Sequence, residues 1–122
     1  HSTFSLEEGL ASHPSVAECA VFAVKDDFKG QLPVGLVVLK NGHQESEELH
    51  QQLIQLVRDS VGAIACLKEV LVVNRLPKTR SGKILRAVLR KLADGETFAI
   101  PPTIEDPEVL DELRERLSYR RR

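Results

Sequence analysis

Two short runs rich in valine are the feature that most constrains the fold of this chain. "VAECAVFAVKD" (16–26) and "LPVGLVVLK" (32–40) each have the length and the composition of a β-strand. The connection between them, "KDDFKGQ", contains Asp and Gly, which are typical turn residues. A third run of the same kind, "KEVLVVNRL" (68–76), follows further along the chain. The sequence therefore predicts a small sheet of three strands.

Segments with helical periodicity lie around these strands. "SEELHQQLIQLVRDSVG" (46–62) and "GKILRAVLRKLAD" (82–94) both place apolar residues on one side of a helix, and Gly95 is suited to end the second. "SLEE" has the form of a capping box that starts at Ser5, so we expect a helix over 6–12 that stops before Pro14. In "EDPEVLDELRERL" (105–117), Asp106 is placed as the N-cap of a last helix, with Pro107 at its first position.

The order of these elements is helix, strand, strand, helix, strand, helix, helix. It predicts an α+β fold, in which a small, mostly antiparallel three-stranded sheet has helices packed against it. With 122 residues, of which 42% are hydrophobic, the chain has enough apolar material for one small core.

Composition also bounds where the protein works. No apolar run is long enough to cross a bilayer, so no membrane partner is expected. Cys19 and Cys66 lie in apolar segments without metal-ligand spacing, and we interpret them as buried free thiols in a reducing compartment. That compartment would be the cytoplasm, or the mitochondrial matrix in a eukaryote. The chain begins at His1, without Met or a signal peptide, and we interpret it as a piece of a longer protein.

A one-sided basic stretch is the main functional signal. "NRLPKTRSGKILRAVLRK" (74–91) has seven basic residues and no acid, although the whole chain has 17 Lys+Arg against 18 Asp+Glu. A solvated helix face accounts for the later basic residues of the stretch. It does not explain why Lys78, Arg80 and Lys83 crowd the loop before the helix.

Three functional interpretations of this loop compete. A nucleotide-binding P-loop is excluded, because Pro77 stands where the pattern needs Gly and Ile84 where it needs Ser or Thr. Nucleic-acid binding is disfavoured, because no aromatic residue lies in the stretch and the net charge is near zero. What remains is an anion-handling loop, in which a flexible turn at Thr79, Ser81 and Gly82 brings backbone N–H groups and a lysine ammonium to a phosphate or carboxylate.

"LPKTRSGKI" (76–84) resembles the C-terminal lysine motif of the adenylate-forming superfamily, which includes acyl-CoA synthetases, the adenylation domains of peptide synthetases, and luciferase. The longer "LPKTRSGKILRAVLRKLADGE" is similar to the short-chain acyl-CoA synthetases, which activate acetate or propionate. "STFSLEEGLASHPSVAECAV", "DDFKGQLPVGLVVLK" and "TIEDPEVL" agree in the same order, so the resemblance covers nearly the whole chain. "TIEDP" leans towards propionate, and the choice between the two acids stays open.

The resemblance implies an architecture and a reaction. Residues 1–122 would be the small mobile C-terminal domain of a ligase, with 96–122 as an extension that holds a helix and a basic tail. Its partner would be the large N-terminal adenylation domain of the same protein. Family enzymes convert a carboxylate and ATP, with Mg²⁺, into an acyl-adenylate and pyrophosphate, and then transfer the acyl group to CoA. The isolated chain is expected to be inactive and to bind none of these by itself.

The resemblance also implies roles for single residues. Lys83 falls on the catalytic lysine, which orients the carboxylate and offsets charge during adenylation, while Lys78, Arg80, Ser81 and Gly82 would support it. Acetylation of the matching lysine switches related synthetases off, so a lysine acetyltransferase and a deacetylase are expected partners.

The CoA side of the site is less complete in the sequence. Arg58 matches an arginine that meets the ribose phosphate of CoA in acetyl-CoA synthetases, although a solvent-facing helix arginine is the alternative interpretation. The segment after it, "VGAIACLKEV", lacks the expected proline-rich turn, and Phe4 stands where relatives often have glycine. The hinge residue of the family and its glycine–arginine segment lie before "STFSLEE". A stand-alone binding or regulatory module of the same fold is the alternative to a ligase domain. No metal site is predicted.

Overall fold

The computed structural model describes residues 3–28, 30–61, 67 and 69–118, with residues 60 and 61 described as backbone only. The elements are α1 (Thr3–Ala11), β1 (Val16–Asp26), β2 (Gly30–Leu39), α2 (Glu47–Val61), β3 (Glu69–Val72), α3 (Arg86–Asp94) and α4 (Val109–Ser118). They form two compact units, which divide between Asn74 and Arg75. Unit 1 contains α1, the three strands and α2, and unit 2 contains α3 and α4.

The sheet of unit 1 has the strand order β1-β2-β3. β1 and β2 form a long antiparallel ladder that closes at the Asp26–Gly30 pair, while β3 pairs with β2 in parallel, from Val34–Glu69 to Val37–Val72. A parallel neighbour needs a crossover connection, and α2 lies in that connection. The predicted α+β class and the mostly antiparallel three-stranded sheet are therefore confirmed, with one parallel pair in the shorter ladder.

The core of unit 1 lies between the sheet and its two helices. α1 and α2 pack on each other, and fully buried side chains such as Leu10, Leu53 and Val37 fill the space between them and the strands. α1 approaches the sheet closely at Gly35, where a Cβ atom would lie 2.9 Å from Leu10 Cδ1. The absence of a side chain at Gly35 therefore leaves room for the side chain of Leu10.

The first helix begins earlier than the sequence predicts. α1 runs from Thr3 to Ala11, so Ser5 lies inside the helix and the proposed capping box is wrong. The acid that makes a defined contact here is Glu7, whose Oε2 accepts a hydrogen bond from the N–H of Val21 at 2.7 Å. The predicted stop before Pro14 is confirmed.

The other helix ends follow the local signals in most cases. Ser46 Oγ accepts from the N–H of Leu49 at 3.0 Å and so caps α2, and Asp106 Oδ1 accepts from the N–H of Glu108 at 3.1 Å just before α4. Gly95 ends α3 in the left-handed conformation, at φ 73°, with its N–H on the carbonyl of Leu92. The predicted cap at Ser46 and the stop at Gly95 are confirmed. Asp106 makes the bond expected of a cap, but α4 begins at Val109, so the prediction that Pro107 is the first residue of this helix is wrong.

The start of α3 also differs from the prediction. It begins at Arg86, four residues after the predicted start at Gly82. Ile84 instead pairs with Lys78 in an antiparallel bridge, and the N–H of Leu85 donates to the carbonyl of Pro77 at 2.9 Å. Because residues 84 and 85 serve that pairing, the segment before Arg86 belongs to a loop.

Unit 2 is built on the contact between α3 and α4. Their buried side chains are Val88, Leu89, Leu92, Ala93, Val109, Leu110, Leu113 and Leu117. The interpretation of 1–122 as one C-terminal domain with an extension from residue 96 stays a prediction. The basic tail at 120–122 lies outside the described residues, as do Cys66 and most of "VGAIACLKEV".

Two further sequence predictions concern cysteine and membranes. Cys19 is a free thiol, but it is half-buried rather than buried, and its Sγ donates to the carbonyl of Glu7 at 3.3 Å. Across the part of the chain that the structure describes, no helix combines the length and the apolar character that crossing a bilayer requires.

Candidate functional site

Residues 78–84 form a tight turn that carries Lys83, and we call it the lysine turn. The N–H of Thr79 donates to the carbonyl of Lys83 at 2.8 Å, and the N–H of Gly82 donates to the carbonyl of Thr79 at 2.8 Å. Thr79 Oγ1 accepts from the N–H of Lys83 at 3.1 Å. Gly82 has φ +93°, a region that glycine enters readily and other residues do not. Thr79 and Gly82 therefore set the shape of the turn.

The backbone of the lysine turn is not free to bind an anion as the sequence suggested. The N–H groups of Thr79, Gly82 and Lys83 are used inside the turn, and that of Arg80 donates to the carbonyl of Thr103 at 3.1 Å. The prediction that the turn offers free backbone N–H groups is therefore wrong for Thr79 and Gly82. What the turn presents to solvent is a side chain.

That side chain is Lys83. It is exposed, and the structure pairs its ammonium with none of the residues that it describes. Of the predicted supporting residues, Lys78 is half-buried, whereas Arg80 and Ser81 are exposed. Ser81 Oγ lies 2.9 Å from Thr79 Oγ1. The structure thus places the five predicted residues of this motif in one short loop, in which Lys83 is an exposed cation with no partner among the described residues.

A second segment, residues 102–105, runs beside the lysine turn, and we call it the bracing segment. The N–H of Glu105 donates to the carbonyl of Lys78 at 2.8 Å, and Thr79 pairs with Ile104 in an antiparallel bridge. Arg80 Nη1 donates to the carbonyl of Pro102 at 3.0 Å. The sequence predictions used "TIEDP" for the resemblance and for the start of the last helix, and they missed this contact. A lone apolar residue between polar neighbours, Ile104, was the signal that could have indicated it.

An exposed ion-pair cluster follows the bracing segment. Arg75 Nη1 lies 2.6 Å from Asp106 Oδ2, and Arg75 Nη2 lies 3.2 Å from Glu112 Oε1. The hydrogen bond from Arg75, with a further one from the N–H of Glu108, holds the pKa of Asp106 below its ordinary value of 3.8. The same contact with Asp106, followed by that with Glu112, raises the pKa of Arg75. The cluster links the start of unit 2 to the start of α4.

Arg58 is not part of the lysine turn. It lies in the last turn of α2, in unit 1, with an exposed side chain. Its neighbour Asp59 accepts a hydrogen bond from Gln55 Nε2 at 2.8 Å. Because the C-terminal end of a helix carries partial negative charge, an anion bound there would depend on the guanidinium itself.

No residues of a metal site come together in the described ranges. Within them, no group of three or more His, Cys, Asp or Glu side chains is arranged to hold a metal ion. His13 and His50 have ordinary side-chain partners, Gln52 Oε1 at 2.7 Å and Glu45 Oε2 at 2.6 Å. We therefore assign no Mg²⁺ ligand to these residues.

The comparison with known families identifies the class of protein. The sequence profile of the AMP-binding enzyme C-terminal domain matches residues 5–83, and the chain belongs to this family. The match ends at Lys83, so the bracing segment lies outside the matched residues. The resemblance to the C-terminal domains of adenylate-forming enzymes is thereby confirmed.

The relatives are more specific in their names. The chain is 55% identical to a protein of Dictyostelium discoideum named "Acyl-CoA synthetase short-chain family member B, mitochondrial", over 92% of this chain and 16% of that protein. It is 44% identical to an acetyl-coenzyme A synthetase of Pyrobaculum aerophilum, over 92% of this chain and 17% of that one. The chain therefore spans less than a fifth of the length of these relatives.

Solved structures agree with this assignment. An acyl-CoA synthetase from Brucella canis matches with a TM-score of 0.69 and 37% identity, over 73% of this chain and 16% of that one. An acetoacetyl-CoA synthetase from Streptomyces lividans matches with a TM-score of 0.76 over 94% of this chain and 18% of its own. That second likeness, at 19% identity, supports the fold alone.

Proposed function

We propose that this chain is the C-terminal domain of a short-chain acyl-CoA synthetase, which acts together with a large N-terminal adenylation domain of the same protein. The observation that carries the proposal is the exposed ammonium of Lys83, held at the edge of a hydrogen-bonded turn. The names of the relatives support a short acid such as acetate as the acyl substrate, and the stretch "TIEDP" leans towards propionate.

In the first half-reaction, we propose that Lys83 serves adenylation. A carboxylate oxygen attacks the α-phosphorus of ATP, the bond from that phosphorus to the bridging oxygen breaks, and pyrophosphate leaves. Both reactants are anions, so a positioned cation lowers their repulsion and stabilises the charge on the phosphate oxygens. Lys83 would do this without giving up a proton. Mg²⁺ would be bound together with ATP and would offset the charge of its phosphates.

In the second half-reaction, we propose that Arg58 binds CoA. The CoA sulfur attacks the acyl carbon, the bond to AMP breaks, and the thioester forms. An exposed guanidinium can make two parallel hydrogen bonds to a phosphate, which fits the ribose phosphate of CoA. The exposure of Arg58 supports this role.

Acetylation of Lys83 is the proposed control of the enzyme. The side chain is accessible to a modifying enzyme, and acetylation removes the charge on which adenylation depends. A lysine acetyltransferase and a deacetylase are therefore proposed partners. The compartment, cytoplasm or mitochondrial matrix, stays a prediction.

The deciding experiment measures the two half-reactions separately in the full-length enzyme. Lys83→Ala should slow acyl-adenylate formation by about a hundred- to a thousand-fold, the usual cost of removing one well-placed stabiliser of charge. Acyl transfer to CoA from supplied acyl-adenylate should change little. Lys40→Ala is the matched control, because Lys40 is also exposed but lies at the end of β2.

Three outcomes would count against the proposal. Equal slowing of both half-reactions by Lys83→Ala would show a general defect, and no slowing of either would remove the lysine from the chemistry. Pyrophosphate release from ATP and propionate by the isolated 122-residue chain, above a buffer blank, would contradict the need for an N-terminal domain.

A further inference from the structure

We propose that the bracing segment is the element that positions Lys83, and that Arg80 is a positioning residue that acts through it. This inference rests on the proposed function of Lys83. It assigns a role to residues outside the range that the family profile matches, which ends at residue 83.

The contacts between the two segments have the pattern of a short antiparallel ladder. The N–H of Arg80 donates to the carbonyl of Thr103 at 3.1 Å, and the N–H of Glu105 donates to the carbonyl of Lys78 at 2.8 Å. The two bonds run in opposite directions on either side of the bridge between Thr79 and its partner. A pair of bonds with this arrangement fixes the direction of one strand relative to the other.

The Arg80 side chain adds a third bond to the same segment. Its Nη1 donates to the carbonyl of Pro102 at 3.0 Å. This hydrogen bond keeps the guanidinium beside the turn, where it binds a backbone carbonyl of the protein. The geometry therefore gives Arg80 a role in holding the turn, whereas the ammonium of Lys83 has no partner among the described residues.

The bracing segment is itself fixed at two points. Ile104 is buried, with 4% of its surface exposed, and so anchors the middle of the segment. Asp106 follows directly, caps the start of α4 through the N–H of Glu108, and pairs with Arg75. The lysine turn is thereby connected to the rest of unit 2 through bonds at Lys78 and Arg80.

The hydrogen bonds within the lysine turn and those to the bracing segment affect the position of Lys83 in different ways. The bonds between Thr79 and Lys83 set the local shape of the turn, and they would survive without the bracing segment. The bonds to residues 102–105 set the direction in which the turn, and with it the ammonium, leaves unit 2. Since a misplacement of about 1 Å can cost on the order of a hundred-fold in rate, loss of these bonds should reduce adenylation.

The test compares two substitutions at one position in the full-length enzyme. Glu105→Pro removes the N–H that donates to the carbonyl of Lys78, whereas Glu105→Ala keeps this N–H. Glu105→Pro should slow acyl-adenylate formation by about ten- to a hundred-fold and leave acyl transfer within about two-fold. Glu105→Ala should behave as the parent enzyme in both steps.

A double-mutant cycle separates positioning from a general structural effect. In the background of Lys83→Ala, Glu105→Pro should cause no further loss of adenylation, because the group that it positions is gone. A substitution that only weakened the fold would slow acyl transfer as well, and its effect would add to that of Lys83→Ala. Either of those results would overturn the inference.

A second variant covers the case in which Glu105→Pro fails to fold. Arg80→Ala changes an exposed side chain and should slow adenylation by about two- to ten-fold, the worth of one net hydrogen bond, with acyl transfer unchanged. Adenylation at the parent rate would overturn the inference. If Lys83→Ala itself left adenylation unchanged, the proposed function would fail; if Lys83→Ala abolished it while the bracing variants had no effect, only the positioning role would fail.

Discussion

Replacing Gly82 by alanine should change the shape of the lysine turn and leave the rest of the protein as it is. Gly82 has φ +93°, and a Cβ atom built on it would meet nothing within 4 Å. The substitution therefore causes no clash, and its whole cost is that of holding an alanine in a left-handed backbone conformation. That cost is about 1–2 kcal/mol.

The turn can respond to this cost in one way that matters for function. It can move Gly82 to a negative φ, which breaks the bond from its N–H to the carbonyl of Thr79 at 2.8 Å and displaces Lys83 next to it. A strain of about 1–2 kcal/mol then lowers the ratio of the original turn to the relaxed turn by about five- to thirty-fold. We expect the rate of acyl-adenylate formation in the full-length enzyme to fall by up to this factor, with acyl transfer unchanged.

Gly42→Ala is the matched control for this experiment. Gly42 has φ +84°, it also has nothing within 4 Å of an added Cβ, and it lies in the loop between β2 and α2. Single-turnover assays of both half-reactions, with urea unfolding as the measure of stability, compare the two variants. Both should lose similar stability, but only Gly82→Ala should slow adenylation. The reasoning is refuted if adenylation falls equally in both variants, or if Gly82→Ala keeps the parent rate.

Three further predictions concern the CoA site, the core and the ion-pair cluster. Arg58→Ala in the full-length enzyme should raise KM for CoA by about ten- to a hundred-fold and leave KM for ATP unchanged; equal KM values for CoA would exclude the contact. Leu53→Ala removes a fully buried side chain and should lower the free energy of unfolding in urea by about 2–5 kcal/mol, whereas exposed Gln51→Ala should stay within about 0.5 kcal/mol. Asp106→Asn keeps the helix cap but loses the charge. The pKa of Asp106 in the folded protein is below its ordinary value of 3.8. The charge of Asp106 therefore contributes fully to folding stability above pH 3.8, and this contribution is lost as the pH falls through the lowered pKa. The thermal stabilities of parent and variant should therefore differ at neutral pH and converge in acid, and a difference that persists in acid would contradict the assignment.

The sequence by itself determined the features that depend on near neighbours in the chain. The two valine-rich strands, the N-caps at Ser46 and Asp106 and the stop at Gly95 each rest on residues a few positions apart. A cap or a left-handed stop is satisfied within one helical turn, so its signal is complete in the local sequence. The lysine motif was readable for the same reason, because its residues are contiguous.

Tertiary structure decided where α1 and α3 begin, because there the local sequence signal competes with contacts to residues elsewhere in the chain. The capping box at Ser5 has the right residues, yet α1 begins before it, and the neighbouring Glu7 accepts a hydrogen bond from the N–H of Val21 in β1. Ile84 fits the helical periodicity of the segment that follows it, but it pairs with Lys78. α3 therefore begins later than the periodicity predicts. In each case the outcome depends on contacts that form only when the chain has folded.

The direction in which Lys83 is presented also depends on tertiary structure. The motif supplies the turn, but three hydrogen bonds between it and residues 102–105, about twenty positions further along the chain, hold it in unit 2. Backbone carbonyls accept two of these bonds in the bracing segment, and a backbone carbonyl carries no sequence signature. The sequence therefore identified the lysine, and the pairing of two distant segments decided where its ammonium lies.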